Sequence, residues 1–251
     1  DLKRPSRVLV VDDNPANRYV VKGILESLNV ECIDTDHPKV VAEQLQNQDF
    51  GLVLMDIQMP LKDGRTLTKE LRKSFDTLPP VVAFTALSVS EERKSWLDSG
   101  LMDDFLPKPV AAEDLIELLQ KWGIRVSEVD TSEAEEFPPF LDKDVLGQLA
   151  KYGGKELIFE SFATFKEETQ TQLQEAFLSI QMQDWEEVRK VAHTLKGSAG
   201  MLGVKPMSGV AIQMEHRLRS DGFYKEVFED FSNLNQGFKQ FTSWLLEVEA
   251  F

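Results

Sequence analysis

The first half of the chain alternates two kinds of segment, and this alternation limits the folds that it can adopt. Five short runs of β-branched and apolar residues have the character of buried parallel strands, and they begin at Arg7, Val30, Gly51, Pro80 and Asp103. Amphipathic stretches at helical spacing follow these runs: Ala16–Leu28, Pro38–Asn47, Gly64–Ser74, Ser88–Ser99 and Ala111–Trp122. Five successive βα units predict a doubly wound α/β domain with a five-stranded parallel sheet.

The pattern changes at Gly123, and no strand pattern appears beyond that residue. Residues 127–137 are acidic and lead into Pro138-Pro139, which predicts a solvated, semi-rigid linker. Helical periodicity then covers five further stretches: Asp142–Lys151, Lys155–Met182, Asp184–Met201, Lys205–Ser220 and Lys225–Glu249. Asp142 and Asp184 are predicted to be N-caps, and breaks are predicted at Gly153-Gly154, Gly203 and Gly222. We therefore predict an all-α helical bundle as the second domain. The predicted division is an α/β domain over 5–122, a linker over 123–138 and a bundle over 139–251.

Composition restricts the classes of function that the chain can have. A net charge of −15 argues against nucleic-acid binding, which needs a basic surface. No apolar run approaches the roughly 18 residues that span a bilayer, so we expect no membrane contact by this chain. The lone Cys32 excludes an internal disulfide and is typical of the reducing cytoplasm. Because the sequence begins at Asp1 rather than with methionine, we expect a piece of a longer protein.

Polar residues follow four of the five predicted strands. Asp12 and Asp13 end the first strand, Asp56 the third, Thr85 the fourth and Lys108 the fifth. Ligands bind outside the carboxyl ends of the strands in doubly wound sheets, so three carboxylates should converge there. Such a cluster repels itself unless a cation or a proton binds, and hard oxygen ligands suit Mg²⁺. Taken singly, Asp13 or Asn14 could be a helix N-cap, and Asp56 could be a turn residue before Pro60.

The sequence around these residues resembles the signature blocks of response-regulator receiver domains: VLVVDDNPANR, VLMDIQMPLKDG, VVAFTA and DFLPKPV. The resemblance covers about residues 5–122 and implies a flavodoxin-like fold with Asp56 as the phosphoacceptor. The resemblance also implies that Mg²⁺ is bound by four groups: Asp12, Asp13, Asp56 and the carbonyl of Gln58. Thr85 and Lys108 are implied to contact the phosphoryl oxygens. Thr85 and Phe105 are implied to be the switch residues.

The implied reaction is phosphoryl transfer, which depends on positioning and charge neutralisation. Asp56 is the nucleophile. Lys108 and the Thr85 hydroxyl bind the phosphoryl oxygens that Mg²⁺ does not bind. The added charge then draws Thr85 inward, and Phe105 fills the space that Thr85 leaves. The resemblance also implies a cis peptide bond between Lys108 and Pro109.

The helix predicted from Asp184 carries a histidine, His193, beside its apolar stripe. The same face holds five residues at offsets of three, four and seven: Arg189, Lys190, Lys196, Gly197 and Gly200. A glycine inside a helix costs about 1 kcal/mol relative to alanine, so we expect a compensating gain, which is close access for another protein's backbone. The cations supply positive potential for a phosphoryl group. Without these neighbours, a helical histidine is more often structural or solvated.

The string AHTLKGSAGMLG resembles the motif of histidine-containing phosphotransfer domains, and the resemblance covers roughly residues 139–251. It implies a bundle whose central helix hairpin exposes a phosphorylatable His193, with Lys196 and Gly197 at neighbouring motif positions. On the next helix, Glu215 and Arg219 fall near family positions that orient the histidine. An aromatic and apolar stripe on the long preceding helix is expected to be core: Phe159, Phe162, Phe165, Leu173 and Phe177.

Together the resemblances imply a phosphorelay segment of a two-component regulatory system, as at the C-terminal end of hybrid sensor histidine kinases. The implied partners are the dimerisation and phosphotransfer domain of a histidine kinase and a downstream response-regulator receiver domain. The expected location is the cytoplasm, and anchoring of the parent protein in the inner membrane is left open. The sequence contains no Walker A motif and no glycine-rich adenylate loop, so we do not expect this chain to use ATP. Whether the chain is itself an enzyme stays open.

Two other classes of function compete with this interpretation. A hydrolase of the aspartyl-phosphate type also uses aspartate, lysine and Mg²⁺, but it carries a DxD arrangement on its first strand. Here Asp12 and Asp13 are adjacent, and the candidate nucleophile Asp56 lies on the third strand. A non-catalytic interaction module would be favoured by the loss of Asp56 or Lys108, and both residues are present.

Overall fold

A computed structural model describes residues 4–59, 62–85, 90–127, 137–219 and 224–249 of the chain. The chain forms two compact units, of which the first contains a five-stranded parallel sheet in the order β2-β1-β3-β4-β5. The elements of this α/β region are β1 (Arg7–Val11), α1 (Pro15–Ser27), β2 (Glu31–Thr35), α2 (Pro38–Asn47), β3 (Leu52–Asp56), α3 (Gly64–Ser74), β4 (Val81–Thr85), α4 (Ser90–Asp98), β5 (Asp104–Pro107) and α5 (Ala112–Lys121). The predicted doubly wound α/β class is confirmed.

The helical region comprises four elements among the described residues: α6 (Lys143–Met182), α7 (Trp185–Met201), α8 (Lys205–Arg219) and α9 (Tyr224–Glu249). The predicted all-α class is therefore confirmed as well. Several sequence expectations lie outside the described residues, namely most of the acidic linker, the start of the fourth helix at Ser88 and the break at Gly222. None of the helices in the described ranges combines the length and the apolar character needed to cross a membrane.

The three central strands of the sheet owe their burial to their apolar, β-branched composition. Every residue of β3 and β4 is buried, and so is β1 from Val8 onward. Helices on both faces of a parallel sheet leave no solvated side, so continuous apolar runs are favoured over alternation. In the parallel register Val10 lies beside Leu54, and Met55 beside Ala83. This packing brings the carboxyl ends of β1, β3 and β4 to one edge of the sheet.

The predicted break at Gly153-Gly154 is present as a kink within α6. Gly154 has φ 65° and ψ −169°, a backbone conformation that side chains with a Cβ atom rarely adopt. At the start of α6 the Asp142 side chain accepts hydrogen bonds from the backbone N–H groups of Asp144 and Val145. Asp184 caps α7 in the same way through Glu187. Both capping residues therefore begin helices, as predicted.

Aromatic residues of α6 and α9 form much of the core of the helical region. Phe162 packs edge-on against Phe241 at 5.2 Å and against Trp244 at 5.8 Å between ring centroids. The expectation that Phe177 belongs to this core is wrong, because its side chain is 48% exposed. Phe177 instead stacks on Phe231 at 6.3 Å along an open apolar groove between α6 and α9.

Candidate functional site

The acidic site lies where β1 and β3, neighbours in the sheet, both end. Carboxylate oxygens of Asp12, Asp13 and Asp56 all lie within 4.8 Å of one another. Asp12 and Asp56 are buried and Asp13 is half-buried. The structure thus brings together the three carboxylates that the sequence places at separate strand ends. The immediate consequence is mutual repulsion, because like charges in a poorly solvated site disfavour ionisation.

Lys108 supplies a positive charge to this cluster. Its Nζ lies 2.6 Å from Oδ2 of Asp12 and 2.8 Å from Oδ2 of Asp56. Burial by itself would lower the pKa of the Lys108 ammonium, but the two carboxylates outweigh burial and hold that pKa above its usual value. The peptide bond from Lys108 to Pro109 is cis. Lys108 therefore remains charged and ties the ends of β1, β3 and β5 together.

One ammonium does not balance three carboxylates. Burial, reinforced by Asp12 and Asp13, raises the pKa of Asp56 to about 7 although Lys108 opposes the rise. Burial and the neighbouring Asp12 likewise raise the pKa of Asp13 to about 6. Part of the cluster therefore holds a proton near neutral pH unless a cation takes the place of that proton. Such a site favours the binding of a hard divalent cation.

The two residues of the acidic pair differ in their protein partners. Asp12 accepts hydrogen bonds from the Asn14 N–H at 2.8 Å and from the Asn17 side-chain amide at 3.2 and 3.3 Å. Asn14, rather than Asp13, is the N-cap of α1, and its side chain accepts from the Asn17 N–H. The N-cap alternative for Asp13 is therefore excluded. The contribution of Asn17 was not predicted from the sequence. The feature that could have indicated it is a side-chain amide in the first turn of α1, three residues after the N-cap Asn14.

A glycine lets α3 begin close beneath the phosphoacceptor candidate. A Cβ atom at Gly64 would collide with the backbone carbonyl oxygen of Asp56. The Gly64 N–H donates to the Ile57 carbonyl at 3.0 Å, which fixes the loop that follows β3. The Gln58 N–H donates to Oδ1 of Asp56 at 3.1 Å. Within the described part of the chain, Oε1 of Gln58 is buried without a hydrogen-bond partner.

Thr85 and Phe105 lie on one face of the sheet. Thr85 ends β4 and is buried, and its carbonyl accepts from the Lys108 N–H at 2.9 Å. Phe105 is the register partner of Ala83, two residues before Thr85, so the parallel pleat points the side chains of these residues to the same side. The Phe105 ring is half-buried and stacks on Trp96 of α4 at 5.7 Å.

The second site is built on α7 and α8 around a single buried carboxylate. Glu215 of α8 accepts from three groups: its Oε1 lies 2.9 Å from Nδ1 of His193 and 2.7 Å from Nη2 of Arg219, and its Oε2 lies 2.9 Å from Nζ of Lys196. Burial opposes ionisation of Glu215, but hydrogen bonds from His193 and Lys196 hold its pKa well below the usual range. Glu215 is therefore ionised and can only accept hydrogen bonds.

This arrangement determines which nitrogen of His193 can react. Because an ionised Glu215 only accepts, Nδ1 of His193 carries the proton in their hydrogen bond. In a neutral imidazole the lone pair then resides on Nε2, which makes Nε2 the nucleophilic atom. The His193 side chain is 15% exposed, which is less open than the sequence suggested, because α8 covers its Nδ1 edge. The ring is thus oriented by the protein rather than freely solvated.

One expectation about the histidine face needs correction, and another gains a detail. Arg189 pairs with Glu186 on its own helix, with Nη2 at 2.6 Å from Oε1, and its charge also interacts with Glu215. Sequence reasoning overlooked Glu186, which stands at the i−3 position from which such pairs form. Gly197 is buried and Gly200 is half-buried. Helix packing therefore covers Gly197, whereas Gly200, two turns after His193 on α7, keeps part of its surface exposed.

Two family models match separate parts of the chain. The model described as the response regulator receiver domain matches residues 8–120, and the model described as the Hpt domain matches residues 160–240. The first match contains the acidic site and the second contains His193 and Glu215. Both fall within the corresponding ranges that the sequence predicts.

Two similar proteins are much longer than this chain. Over 151 residues it is 36% identical to sensor histidine kinase GacS of Pseudomonas protegens, covering 58% of this chain and 16% of that protein. Over 222 residues it is 29% identical to the aerobic respiration control sensor protein ArcB of Escherichia coli, covering 86% of this chain and 28% of that protein. The chain thus spans less than a third of the length of either relative.

A solved receiver domain is similar to the first half of the chain. It belongs to sensor histidine kinase PA1611 of Pseudomonas aeruginosa and was determined with a magnesium ion coordinated in the active site cleft. It is 30% identical, with a TM-score of 0.42, and the match covers 47% of this chain and 97% of that domain.

Proposed function

The chain carries a response regulator receiver domain over residues 8–120 followed by an Hpt domain over residues 160–240, and from this premise we propose a specific path for its role in phosphorelay signalling. Asp56 accepts a phosphoryl group from a histidine kinase, and His193 carries a phosphoryl group to or from a receiver domain. The observation that supports the proposal most is that the two candidate nucleophiles have surroundings of opposite charge. Asp56 has an excess of carboxylates around it, whereas His193 has an excess of cations.

The residues of the acidic site fit Mg²⁺. Three carboxylates within 4.8 Å of one another offer hard oxygen ligands, and a single lysine leaves their negative charge in excess. Asp12, Asp13, Asp56 and the backbone carbonyl of Gln58 are the proposed ligands. When bound, Mg²⁺ supplies charge neutralisation for the carboxylates and for the incoming phosphoryl oxygens.

The protein's own residues account for the acceptance step. An ionised oxygen of Asp56 attacks phosphorus, the new P–O bond forms as the donor's P–N bond breaks, and the donor nitrogen keeps the electron pair. Lys108, which lies 2.8 Å from Asp56, is placed to bind a phosphoryl oxygen after transfer. Thr85 ends the neighbouring strand and provides a hydroxyl, and Phe105 on the same face is the proposed switch residue.

The Hpt site acts through orientation and charge. Glu215 holds Nδ1 of His193 in its protonated form, so the lone pair of Nε2 faces the incoming phosphorus. Lys196 and Arg219 contact the same carboxylate and bring two positive charges beside the ring. These charges stabilise the phosphoryl oxygens on His193 without an added metal ion. Gly200, which keeps part of its surface exposed, is the proposed contact point for a docking receiver. Arg189 adds positive charge near Glu215, and Gly197 lets its buried part of α7 pack closely.

The similar sensor kinases suggest the wider setting. We propose that the chain is the C-terminal segment of a hybrid sensor histidine kinase that works in the cytoplasm. Its partners are then the dimerisation and phosphotransfer domain of a histidine kinase and a downstream response-regulator receiver. The proposed domain limits are 5–122 for the receiver, 123–138 for the linker and 139–251 for the Hpt domain.

Labelling with a small phosphodonor tests the receiver assignment. With acetyl phosphate and Mg²⁺, the chain should gain one alkali-labile phosphoryl group, measured by intact mass. Asp56→Asn should abolish the gain, because it removes the nucleophile, and chelation of Mg²⁺ should have the same effect. His193→Gln is the control and should be labelled like the wild type. Undiminished labelling of Asp56→Asn would show that the nucleophile lies elsewhere.

A further inference from the structure

Arg18 links the backbone of the acidic pair to the neighbouring strand β2. We propose that Arg18 is a positioning residue for the Mg²⁺-binding carboxylates of Asp12 and Asp13, and that Asp34 in turn orients Arg18. This inference rests on the proposed function of the receiver site. It concerns a residue that contacts neither the metal nor the phosphoryl group directly.

The contacts of Arg18 are specific and mostly shielded from solvent. Its Nη1 donates to the carbonyl oxygen of Asp12 at 2.7 Å and to that of Asp13 at 3.2 Å. Its Nε donates to Oδ2 of Asp34 at 3.0 Å, and only 15% of the side chain is exposed. Lys22, one turn further along α1, lies 3.6 Å from the other oxygen of Asp34. The guanidinium therefore bridges two consecutive carbonyls and one anchored carboxylate.

These two carbonyls are positioned where the chain leaves the sheet. β1 ends at Val11 and α1 begins at Pro15, so Asp12 and Asp13 form the loop between a strand and a helix. Shielded carbonyls need donors, and the planar fork of an arginine can serve several acceptors in fixed directions. Holding the carbonyls of Asp12 and Asp13 fixes the rotation of their peptide planes. That rotation sets the directions in which the two carboxylates leave the backbone.

Charge and positioning predict opposite effects when Arg18 is removed. If Arg18 only adds a positive charge near the site, its loss should strengthen Mg²⁺ binding, because one repulsive charge disappears. If Arg18 positions the carboxylates, its loss should weaken Mg²⁺ binding, since residues that orient metal ligands typically contribute about 10-fold or more to affinity. The sign of the change therefore separates the two roles.

The chain offers a matched control at the other end of the sheet. Arg72 of α3 also joins a carbonyl to a carboxylate, with Nε 2.9 Å from the Leu101 oxygen and Nη2 2.7 Å from Oδ2 of Asp103. Asp103 accepts from the N–H of Val81, at the start of β4, so this contact lies far from the strand ends that carry the acidic site. Arg72→Ala should lower thermal stability without changing Mg²⁺ affinity.

Calorimetric titration of the full chain with MgCl₂ tests the proposal. Arg18→Ala should bind Mg²⁺ about 10-fold more weakly than the wild type. Arg18→Lys should fall between the two, because one ammonium keeps the charge but cannot bridge all three acceptors. Asp34→Asn should also weaken Mg²⁺ binding, but by a smaller factor than Arg18→Ala. This variant provides the test if Arg18→Ala does not fold. Circular dichroism melts report the fold of each variant.

The outcomes separate this inference from the proposed function. Wild-type or tighter Mg²⁺ binding by a folded Arg18→Ala or by Arg18→Lys would overturn the positioning role. A weakening by Arg72→Ala as large as that by Arg18→Ala would also overturn it, because the effect would then be one of general stability. Absence of Mg²⁺ binding by the wild-type chain would instead overturn the metal site of the proposed function.

Discussion

The acidic site and the histidine site surround their nucleophiles with opposite charge. Asp56 shares its site with two further carboxylates and one lysine, Lys108. His193 shares its site with one carboxylate, Glu215, which two cations also contact. On the proposed function, the first site has to recruit a cation before it can hold a phosphoryl group, whereas the second already contains its cations. The proposed difference in metal dependence therefore follows from the balance of local charges.

The two sites also differ in how the chain assembles them. The acidic site draws on the ends of β1, β3, β4 and β5, which are distant in sequence and meet through the sheet. The histidine site needs only α7 and α8, which follow one another directly. A strand-end site is rigid because hydrogen-bonded strands hold its parts. A site on two helices depends on side-chain contacts such as the Glu215 network, so single substitutions should loosen it.

The largest expected effect concerns Mg²⁺ binding by the acidic pair. Asp13→Ala should weaken Mg²⁺ binding by about 100-fold or more, because Asp13 is a proposed ligand and even residues that only orient ligands contribute about 10- to 100-fold. Asp12→Ala should weaken it less, because protein donors already engage both Asp12 oxygens. Both variants should fold, since removing one of three clustered carboxylates relieves repulsion. Calorimetry measures the affinity. If Asp13→Ala bound Mg²⁺ as tightly as the wild type, the proposed metal site would be contradicted.

A smaller effect is expected at the carboxylate of the histidine site. Glu215→Gln should lower the free energy of unfolding by about 2 kcal/mol at pH 7, because charge-assisted hydrogen bonds to His193 and Lys196 are weakened. The pKa of Glu215 is lowered in the folded chain, so its stabilisation is present above the usual carboxyl pKa. This stabilisation is lost progressively as the pH falls from the usual carboxyl pKa towards the lowered one, so the difference from Glu215→Gln should already be smaller at pH 3.

Urea unfolding followed by the helical circular dichroism signal at pH 7 and pH 3 measures this difference. Glu186→Gln is the matched control, since Glu186 also pairs with an arginine but is largely exposed. Exposed pairs contribute at most about 1 kcal/mol, so Glu186→Gln should change stability little at either pH. A Glu215→Gln loss that is equal at both pH values would contradict the ionised carboxylate on which the histidine site depends.

The smallest expected effect separates the two glycines of the histidine face. Gly200→Gln should stabilise α7 by up to about 1 kcal/mol, because glycine is a poor helix former and Gly200 is half-buried. It should also slow phosphoryl transfer, because the larger side chain obstructs the docking partner. Gly197→Gln should destabilise the helix instead, because Gly197 is buried and the added side chain overpacks its site. Thermal melts and transfer rates from a labelled receiver measure both properties, and normal transfer by Gly200→Gln would contradict the docking role.

Sequence alone was sufficient for the sheet and for the meeting of its strand ends. The period of βα alternation determines which residues stand at the carboxyl ends, so Asp12, Asp56 and Lys108 could be placed together without coordinates. The helical breaks at Gly154 and Gly203 were equally visible, and both residues adopt positive φ. These features depend on backbone geometry, which local sequence specifies strongly.

Side-chain partners were harder to predict. Arg189 was expected to lend its charge to the histidine face, and the pairing of Arg189 with Glu186 on the same helix was not foreseen. Phe177 continues an apolar stripe, yet its side chain is 48% exposed. The apolar stripe of one helix does not show where the neighbouring helices stop covering it. Arg18 reaches two backbone carbonyls, an interaction without any periodic signal. Each case depends on competition among contacts that only the folded chain brings together.

The contrast between the sites is tested most directly by labelling both nucleophiles of one chain. Phosphoramidate can phosphorylate both aspartate and histidine, and peptide mapping after acid or alkali treatment distinguishes an acyl phosphate from phosphohistidine. We predict an alkali-labile group on Asp56 that disappears when Mg²⁺ is chelated. We also predict an acid-labile, alkali-stable group on His193 that persists without Mg²⁺, because Lys196 and Arg219 already supply positive charge there. Equal dependence of the two labels on Mg²⁺, or labels on other residues, would contradict the proposed contrast between the sites.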